Sequence, residues 1–498
     1  MANVIKTSQA LPASALSVQD NRFFTQARTR PRRDPAAALR WFAFFDVVAL
    51  LGAWGLAFLA AVGINNLLLG RDFRLTSDLL NMTSPLVNFA LVGAGVIFWF
   101  MHRGHYRQRM PFWLEARKIL TTFFFAVLAG GFLEFASKAD SSRLWMLLAW
   151  VFAAFGTIAL RSIARALLLR AGQWSVRTVL VGSGALADEA FDALRAEPEL
   201  GYDVVAQIED LKSILEAFDH SWQKLCDRFN ADYVVVALDA VELAQMETEI
   251  SDLARSSVPF SVAPPLHNLP VLGTAVHYVF SHDIIFMAPV NNLAQPFPRF
   301  LKRSMDIAGS SLALLMLAPV FLTVAFFVRL DGGSALYGHG RIGRGGRPFQ
   351  CLKFRSMVLN GDEVLQAYLA KNSAAREEWD TMRKLKDDPR VTKIGQFIRN
   401  WSIDELPQLI NVLRGDMSLV GPRPVVTDEV LAYKEDAVYY TRVRPGLTGL
   451  WQISGRSDVS FTRRVQMDSW YVRNWSLWHD IVIVLKTFPV ILKKTGAY

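Results

Sequence analysis

Cysteine is nearly missing from this chain of 498 residues: only Cys226 and Cys351 occur, far apart, which excludes a disulfide framework. Charge is thin as well, at 20% of residues against 52% hydrophobic, with a mean hydropathy of +0.22. An ordinary soluble domain carries about 25% charge, so the balance leans towards lipid. The first 40 residues hold no short apolar stretch of the kind cleaved from secreted proteins. Disorder as the overall state is excluded by 34 Phe and 14 Trp. The charge that is present has one sign in excess, 54 Lys and Arg against 45 Asp and Glu, a net +9. Such an excess suits lipid head groups or phosphorylated substrates and, on charge alone, leaves nucleic acid open.

Four long apolar runs occupy the first third, at about residues 41–65, 85–101, 119–135 and 144–168. Each approaches or exceeds the ~20 residues needed to cross a hydrocarbon core. Asp46 and Glu134 lie inside such runs, where pairing within a bundle or snorkelling at a helix end explains them better than a proton relay. Basic residues alternate along the connections. Arg28, Arg30, Arg32, Arg33 and Arg40 precede the first run, and Arg103, Arg107, Arg109, Arg117 and Lys118 separate the second from the third. Arg161, Arg165, Arg170 and Arg177 mark the end of the fourth, whereas the other two loops are nearly balanced. By the positive-inside rule both ends of a four-helix bundle (residues 41–170, after a basic tail at 1–40) face the cytoplasm.

From Val176 the pattern turns to short β-rich runs between helical ones. Arg177–Gly182, Tyr202–Ile208, Tyr233–Ala237 and Pro259–Val262 read as parallel strands of a Rossmann-like domain over residues 171–295. Gly182, Gly184 and Ala187 fit a dinucleotide-binding turn, with Glu209 and Asp210 where a ribose-binding carboxylate is expected. The same turn forms wherever a helix packs closely on a strand, so a structural, dimerising or regulatory role stands beside cofactor binding.

A fifth apolar segment runs from Met305 to Val328, with Pro319 near its middle and Arg299, Lys302, Arg303 and Arg329 at its two ends. A straight helix of this length reaches across a bilayer. Proline inside the run and basic residues at both ends predict instead a re-entrant helix, about residues 304–329, that enters and leaves through one leaflet.

The final third, 296–498, reads as a mixed α/β domain lying on the membrane. Gly338–Arg347 alternates glycine with Arg341, Arg344 and Arg347 and reads either as a loop suited to oxyanions or as a solvated basic loop at the membrane surface, leading into a strand at Phe349–Phe354 that carries Lys353. An amphipathic helix is expected over Asp362–Lys386. Pro407 is tolerated only in the first turn of a helix, which puts Asp404 at or near an N-cap with Glu405 just inside. A cap is one sufficient reason for these acids; the other is chemistry, since Asp can act as a phosphoryl nucleophile and Glu can ligate Mg²⁺. Two glycine–proline corners follow, Gly421-Pro422-Arg423-Pro424 and Arg444-Pro-Gly-Leu-Thr448-Gly, then an aromatic stretch with Trp470, Tyr471, Trp475 and Trp478 of the kind found at lipid–water interfaces; taken singly, each of these is more often loop punctuation or core packing.

Four signatures, Lys353-Phe-Arg355-Ser-Met, Asp404-Glu405-Leu-Pro-Gln-Leu, Gly-Asp416-Met-Ser-Leu-Val-Gly421-Pro422-Arg423-Pro424 and Arg444-Pro-Gly-Leu-Thr-Gly, together resemble the bacterial polyprenyl-phosphate sugar-1-phosphate transferases, the monotopic phosphoglycosyl transferases. The bundle and Rossmann-like domain upstream resemble the large members of that family. The resemblance implies a cytoplasmic-face enzyme of the bacterial inner membrane that passes hexose-1-phosphate from a UDP-hexose to undecaprenyl phosphate, releasing UMP, as the first membrane step of surface polysaccharide synthesis. Galactose is the favoured hexose and glucose the alternative. It implies Asp404 as nucleophile forming a sugar-phospho-aspartate, Mg²⁺ held by Glu405 and Asp404, phosphates held by Lys353, Arg355 and Arg423, and Asp468 as a further essential carboxylate. Arg341, Arg344, Arg444, Thr448, Arg456 and Tyr471 complete the expected substrate-binding set. A homodimer and no nucleic-acid partner are expected on the same ground. Two competing readings stay open on the residues: a non-catalytic, nucleotide-sensing membrane scaffold, and a membrane-anchored oxidoreductase or epimerase.

Overall fold

A computed structural model describes residues 37–68, 83–137, 142–266, 274–278, 285–288, 292–382, 385, 387–455 and 459–492. The basic tail up to residue 36, Arg456 and the last six residues lie outside them. The chain divides into two compact units, Met1–Pro265 and Leu266–Tyr498. The second unit thus begins before the expected boundary at 295. One reason is local: Leu293 packs in the core of the C-terminal unit, where Asn292 Nδ2 donates to the Trp475 carbonyl at 3.1 Å.

In the first unit the apolar runs form helices α1 (Ala37–Leu68), α2 (Thr83–His102), α3 (Phe112–Ala136) and α4 (Arg143–Arg170). All four are long and apolar enough to cross a membrane. Starts are set by residues that cannot continue a helix or that cap one: Pro111 precedes α3, and the Ser142 hydroxyl accepts from the Trp145 N–H at the head of α4. Small and aromatic residues interlock inside (Ala53, Ala57, Ala149 and Ala153 with Phe89, Phe100 and Trp150) while Leu, Phe and Val side chains cover the outside.

Charged groups cross the interior of the bundle as a paired ladder. Arg161 donates from Nε and Nη2 to the two oxygens of Asp46 at 2.9 and 2.6 Å, and from Nη1 to Glu115 at 3.0 Å. Arg165 also pairs with Glu115, and its other nitrogen reaches Glu199 at 3.2 Å. Tyr106 Oη donates to Asp46 at 2.8 Å. Asp46 is therefore a bundle partner. Glu134 likewise accepts from Asn88 Nδ2 at 3.1 Å.

The α/β part of this unit is a four-stranded parallel sheet in the order β2–β1–β3–β4, from β1 (Val176–Val181), β2 (Tyr202–Ile208), β3 (Tyr233–Val236) and β4 (Phe260–Val262). Its strands are the expected ones. Gly182 leads from β1 into helix α5 (Gly184–Ala196) at φ 144°, and a Cβ there would lie 2.0 Å from the Ala237 carbonyl oxygen. Ala187 is fully buried under the same turn. Ser183 Oγ is bonded to Glu242, and Asp210 caps the helix Leu211–Ala217 by accepting from the Ser213 N–H at 3.2 Å. Close packing thus accounts for Gly182 and Ala187, and capping for Asp210, whereas Gly184 stands at φ 67° with open space where a Cβ would lie.

The second unit opens with a hairpin of β5 (Ala275–Tyr278) and β6 (Ile285–Ala288), followed by α6 (Pro296–Arg329). Helix α6 stays helical through Pro319, so the expected break is not an interruption of the helix; Thr323 Oγ1 donates to the Pro319 carbonyl at 2.8 Å. Both of its ends are seated in the same unit. Near the start, Lys302 Nζ donates to Asp480 Oδ2 at 2.7 Å, and Asp306 Oδ1 accepts from Ser418 Oγ at 2.9 Å and the Leu419 N–H at 3.0 Å. Near the end, Val324 and Val328 are buried with Phe354, Ile398, Ile403 and Leu406, and Arg355 donates to the Val328 carbonyl at 2.7 Å. Between these anchors Leu312, Leu315, Met316 and Leu322 are more than half exposed.

The remainder is built from an antiparallel pair, β7 (Leu336–Ile342) and β8 (Pro348–Phe354), and a small parallel pair, β9 (Ser418–Val420) and β10 (Gly446–Thr448). Helices α7 (Lys393–Asn400), α8 (Gln408–Arg414), α9 (Phe461–Arg473) and α10 (Leu477–Leu492) pack around them. The amphipathic stretch forms two helices, Gly361–Lys371 and Ser373–Met382, rather than one. Tyr471 and Trp475 are core residues, 2% and 3% exposed, not interfacial aromatics.

Candidate active site

Half of the expected loop at Gly338–Arg347 is strand β7, and its period of two decides which side chains serve the site. Tyr337, His339 and Arg341 project to one face, opposite Lys353, Cys351 and Phe349 on β8; Gly338 and Gly340 fall on the other. Asn411 of α8 clamps β8 by accepting from the Leu352 N–H at 2.9 Å and donating to the Gln350 carbonyl at 2.8 Å. This clamp fixes Lys353 relative to the residues just before α8.

Asp404 and Glu405 belong to a separate 3₁₀ turn, Ile403–Glu405, entered through Ser402 at φ 55°. The N-cap position of α8 is taken by Pro407, so Asp404 does not cap that helix. A non-glycine residue in the left-handed region is uncommon, and here it aims the acid pair. Ile403 and Leu406 on either side are pinned in the cluster with the end of α6. Lys353 Nζ donates to Glu405 Oε1 at 2.7 Å and lies 3.8 Å from Asp404 Oδ2. One lysine thus faces two carboxylates. Burial pushes the Asp404 carboxyl up to about 6, Lys353 partly offsets this, and Glu405 adds to it.

All three side chains line a cleft of about 1480 Å³. One wall is apolar: Leu312, Ala313, Met316 and Leu317 from α6 face Val484, Phe488 and Ile491 from α10. The rest is polar and mainly basic, with Arg341, Arg355, Arg399, Arg423 and Arg464 beside the acids. The two glycine corners press backbone to backbone. Gly446 N–H donates to the Pro422 carbonyl at 2.7 Å, and a Cβ on Gly446 would lie 2.1 Å from the Gly421 nitrogen. This contact brings Arg423 and Thr448 to the cleft. Trp451, itself buried, has the Arg423 and Arg464 guanidinium groups 5.6 and 4.8 Å from its ring centroid.

The expected site residues therefore separate. Lys353, Asp404, Glu405, Arg341, Arg355, Arg423 and Thr448 line one cleft, although Arg355 is also tied to Asp331 and to the end of α6. Four others stand away from its wall. Tyr471 is buried with its hydroxyl donating to Asp480 Oδ1 at 2.7 Å. Arg444 donates to the Gly415 carbonyl at 2.6 Å, and Arg344 sits exposed in the β7–β8 turn. Asp468 is 2% exposed and accepts from Tyr433 Oη at 2.8 Å; burial pushes its carboxyl up to about 7. It stands behind Tyr433, which does line the cleft. Arg399, Arg464, Tyr433 and Gln452 also line it and were not expected. Gln452 lies three residues beyond the second glycine–proline corner, Arg399 and Arg464 lie on helices and Tyr433 directly follows one, so only packing reveals which way they face.

Such a site, carboxylates and one lysine at the foot of a half-apolar cleft beneath an apolar helix, defines a membrane-anchored α/β enzyme for a phosphorylated substrate. Comparison with known proteins specifies the class. Residues 297–494 match the bacterial sugar transferase family, and residues 102–263 match a CoA-binding domain family. The chain is 42% identical to a UDP-galactose-lipid carrier transferase of Erwinia amylovora, over 84% of this chain and 89% of that protein. It is 41% identical, with the same coverage, to the undecaprenyl-phosphate galactose phosphotransferase of Salmonella typhimurium. An exopolysaccharide production protein of Sinorhizobium fredii is 54% identical over 43% of this chain and 95% of its own length. The chain belongs to the bacterial sugar transferases, the polyprenyl-phosphate sugar-1-phosphate transferase family.

Proposed function

We propose that this protein transfers galactose-1-phosphate from UDP-galactose to undecaprenyl phosphate, with UMP as the second product, at the cytoplasmic face of the bacterial inner membrane. The observation that carries this reading is the Asp404–Glu405–Lys353 group in a cleft with one apolar and one basic wall. An isoprenoid phosphate needs both kinds of wall at once, and a nucleotide sugar needs the basic one. The donor follows the two relatives of 41–42% identity, whose names specify galactose.

A carboxylate oxygen of Asp404 attacks the phosphorus that bears the hexose. A bond forms from that phosphorus to the aspartyl oxygen, the bond to the UMP oxygen breaks, and UMP leaves. An oxygen of undecaprenyl phosphate then attacks the same phosphorus, and Asp404 is released as a carboxylate. One diphosphate is exchanged for another, so catalysis consists chiefly of positioning and charge neutralisation. Lys353 holds Glu405 and stands within reach of Asp404, and Arg341 and Arg423 supply further positive charge to phosphate oxygens. With its carboxyl near 6, Asp404 is mainly ionised at neutral pH yet more basic than an exposed aspartate.

Among the described residues no three or more His, Cys, Asp or Glu side chains converge. Two neighbouring carboxylates at the cleft still fit Mg²⁺, which takes most of its ligands from phosphate and water. Asp404 and Glu405 would hold it, and when bound it would neutralise charge on the diphosphate. The re-entrant course of α6 is supported by its two anchors, since Lys302 and Asp306 near its start and Val324 and Val328 near its end are seated in the same unit.

The full-length protein mixed with UDP-galactose labelled in the hexose, without lipid acceptor, is expected to carry label bound to protein. Undecaprenyl phosphate should discharge it. Lipid product accumulating with no labelled protein at any time would overturn the two-step reading.

A further inference from the structure

Gln452 lies in the short helix Leu450–Ile453, fixed by its neighbour Trp451, which is buried beside the Arg423 and Arg464 guanidinium groups. Its side chain lines the cleft and also a side cavity of about 20 Å³ shared with Lys353, Glu405, Arg341 and Arg423. Its carboxamide oxygen is buried and has no hydrogen-bond partner among the described residues. An unsatisfied buried acceptor is costly and calls for a donor from outside.

The chemistry of the surroundings narrows what that donor is. Lys353, Arg341 and Arg423 are donors and match the acceptor oxygens of a phosphate, whereas a phosphate dianion has no proton to give to Gln452. A sugar hydroxyl has one. On the reading that Asp404 attacks the hexose-bearing phosphorus, the hexose is one ester oxygen from the reacting atom, whereas the ribose lies beyond a second phosphate. The side cavity that Gln452 shares with Lys353 and Glu405 adjoins the acid pair, so of the two sugars the hexose is the nearer to it. We propose that Gln452 is the residue that reads a hydroxyl group of the donor hexose, and so helps decide which nucleotide sugar is used. A site that binds a hydroxyl with a buried acceptor rejects donors lacking it, because the acceptor is then left unpaired.

The proposal rests on the transferase reading, and its test separates the two. UMP release is measured for the full-length, nanodisc-reconstituted protein with UDP-galactose, its four monodeoxy-hexose analogues and a 2′-deoxyuridine analogue. The wild type should lose about 30-fold in kcat/KM on one monodeoxy donor. Gln452→Met should lose a similar factor on UDP-galactose and change less than about threefold on that same deoxy donor. Gln452→Glu, which keeps an acceptor oxygen, should retain part of the discrimination. Equal losses on every donor, or inactivity of both variants, would assign Gln452 to the shared phosphates and overturn the proposal. Insensitivity appearing only with the 2′-deoxyuridine donor would move it to the ribose and overturn it too. No UMP release by the wild type from any UDP-hexose would instead sink the transferase reading on which it depends.

Discussion

Two groups of buried acids in this protein have opposite electrostatics. In the bundle, Asp46 and Glu115 meet Arg161 and Arg165, so carboxylates and guanidinium groups balance and nearly every charged atom is bonded. In the cleft, Asp404 and Glu405 share Lys353, and Asp404 is left 3.8 Å from it. The first arrangement is complete and holds helices together. The second is open: arginines line the cleft around the acids, Lys353 bridges the pair, and burial raises the Asp404 carboxyl. An acid pair that faces a cleft is accessible to a bound cation or an incoming reagent; one closed inside a helical bundle is not.

Substitution of the acids themselves should break the contrast most sharply. Asp404→Asn is expected to lower UMP release by at least about 10³-fold, because the nucleophile is gone, while the fold persists. Asp46→Asn should leave the chemistry intact in protein that folds, yet destabilise the bundle by about 3–5 kcal/mol, since Arg161 keeps its buried charge and loses a bidentate partner. UMP assays and thermal unfolding of the two variants together check this crossover. Next in size, Lys353→Met should cost on the order of 10²-fold in kcat with folding retained, through loss of a cation that pairs with both acids.

The smallest effect is on stability and sharpens the comparison through pH. Asp404 ionises at 3.8 in an ordinary setting and near 6 here. Its charged form is thus disfavoured in the folded state, so its contribution to stability falls as pH rises from about 4 to 6 and stays low above that. Asp404→Asn, which never ionises, should therefore be more stable than the wild type at pH 8 by on the order of 1–2 kcal/mol, with no gain below pH 4. Over the same range, wild-type UMP release should fall about tenfold per pH unit below pH 6 as the nucleophile is protonated. A flat profile down to pH 5 would separate Asp404 from the rate.

Local pattern was a good guide where local physics dominates. The four apolar runs became α1 to α4, and the β-rich stretches became a parallel sheet, because burial of a whole run or an alternating face is written in consecutive residues. The pattern failed where one residue type serves two purposes. Tyr471 and Trp475 resemble interfacial aromatics in composition but fill the core beneath Lys302 and Asp480. Gly338 and Gly340 suggested a loop, yet their strand partners on β8 supply the hydrogen bonds that make β7. Pro407 marked the start of α8 correctly, whereas the Ser402 turn that takes Asp404 off the helix end leaves no trace in residue type.

Sequence alone determined that this chain carries five segments apolar enough for a membrane, a parallel α/β sheet after the fourth, and a carboxylate pair near a helix start. Those properties depend on hydrophobicity, period and short-range stereochemistry. Only the tertiary structure decided that Lys353, Asp404, Arg423 and Gln452, a hundred residues apart from first to last, meet in one cleft while Asp468, Tyr471 and Arg444 stand away from its wall. Convergence of that kind is set by β-pairing between β9 and β10, by the Asn411 clamp on β8, and by the seating of α6 at both ends. Each of these contacts joins residues far apart in the chain, and no local propensity encodes them.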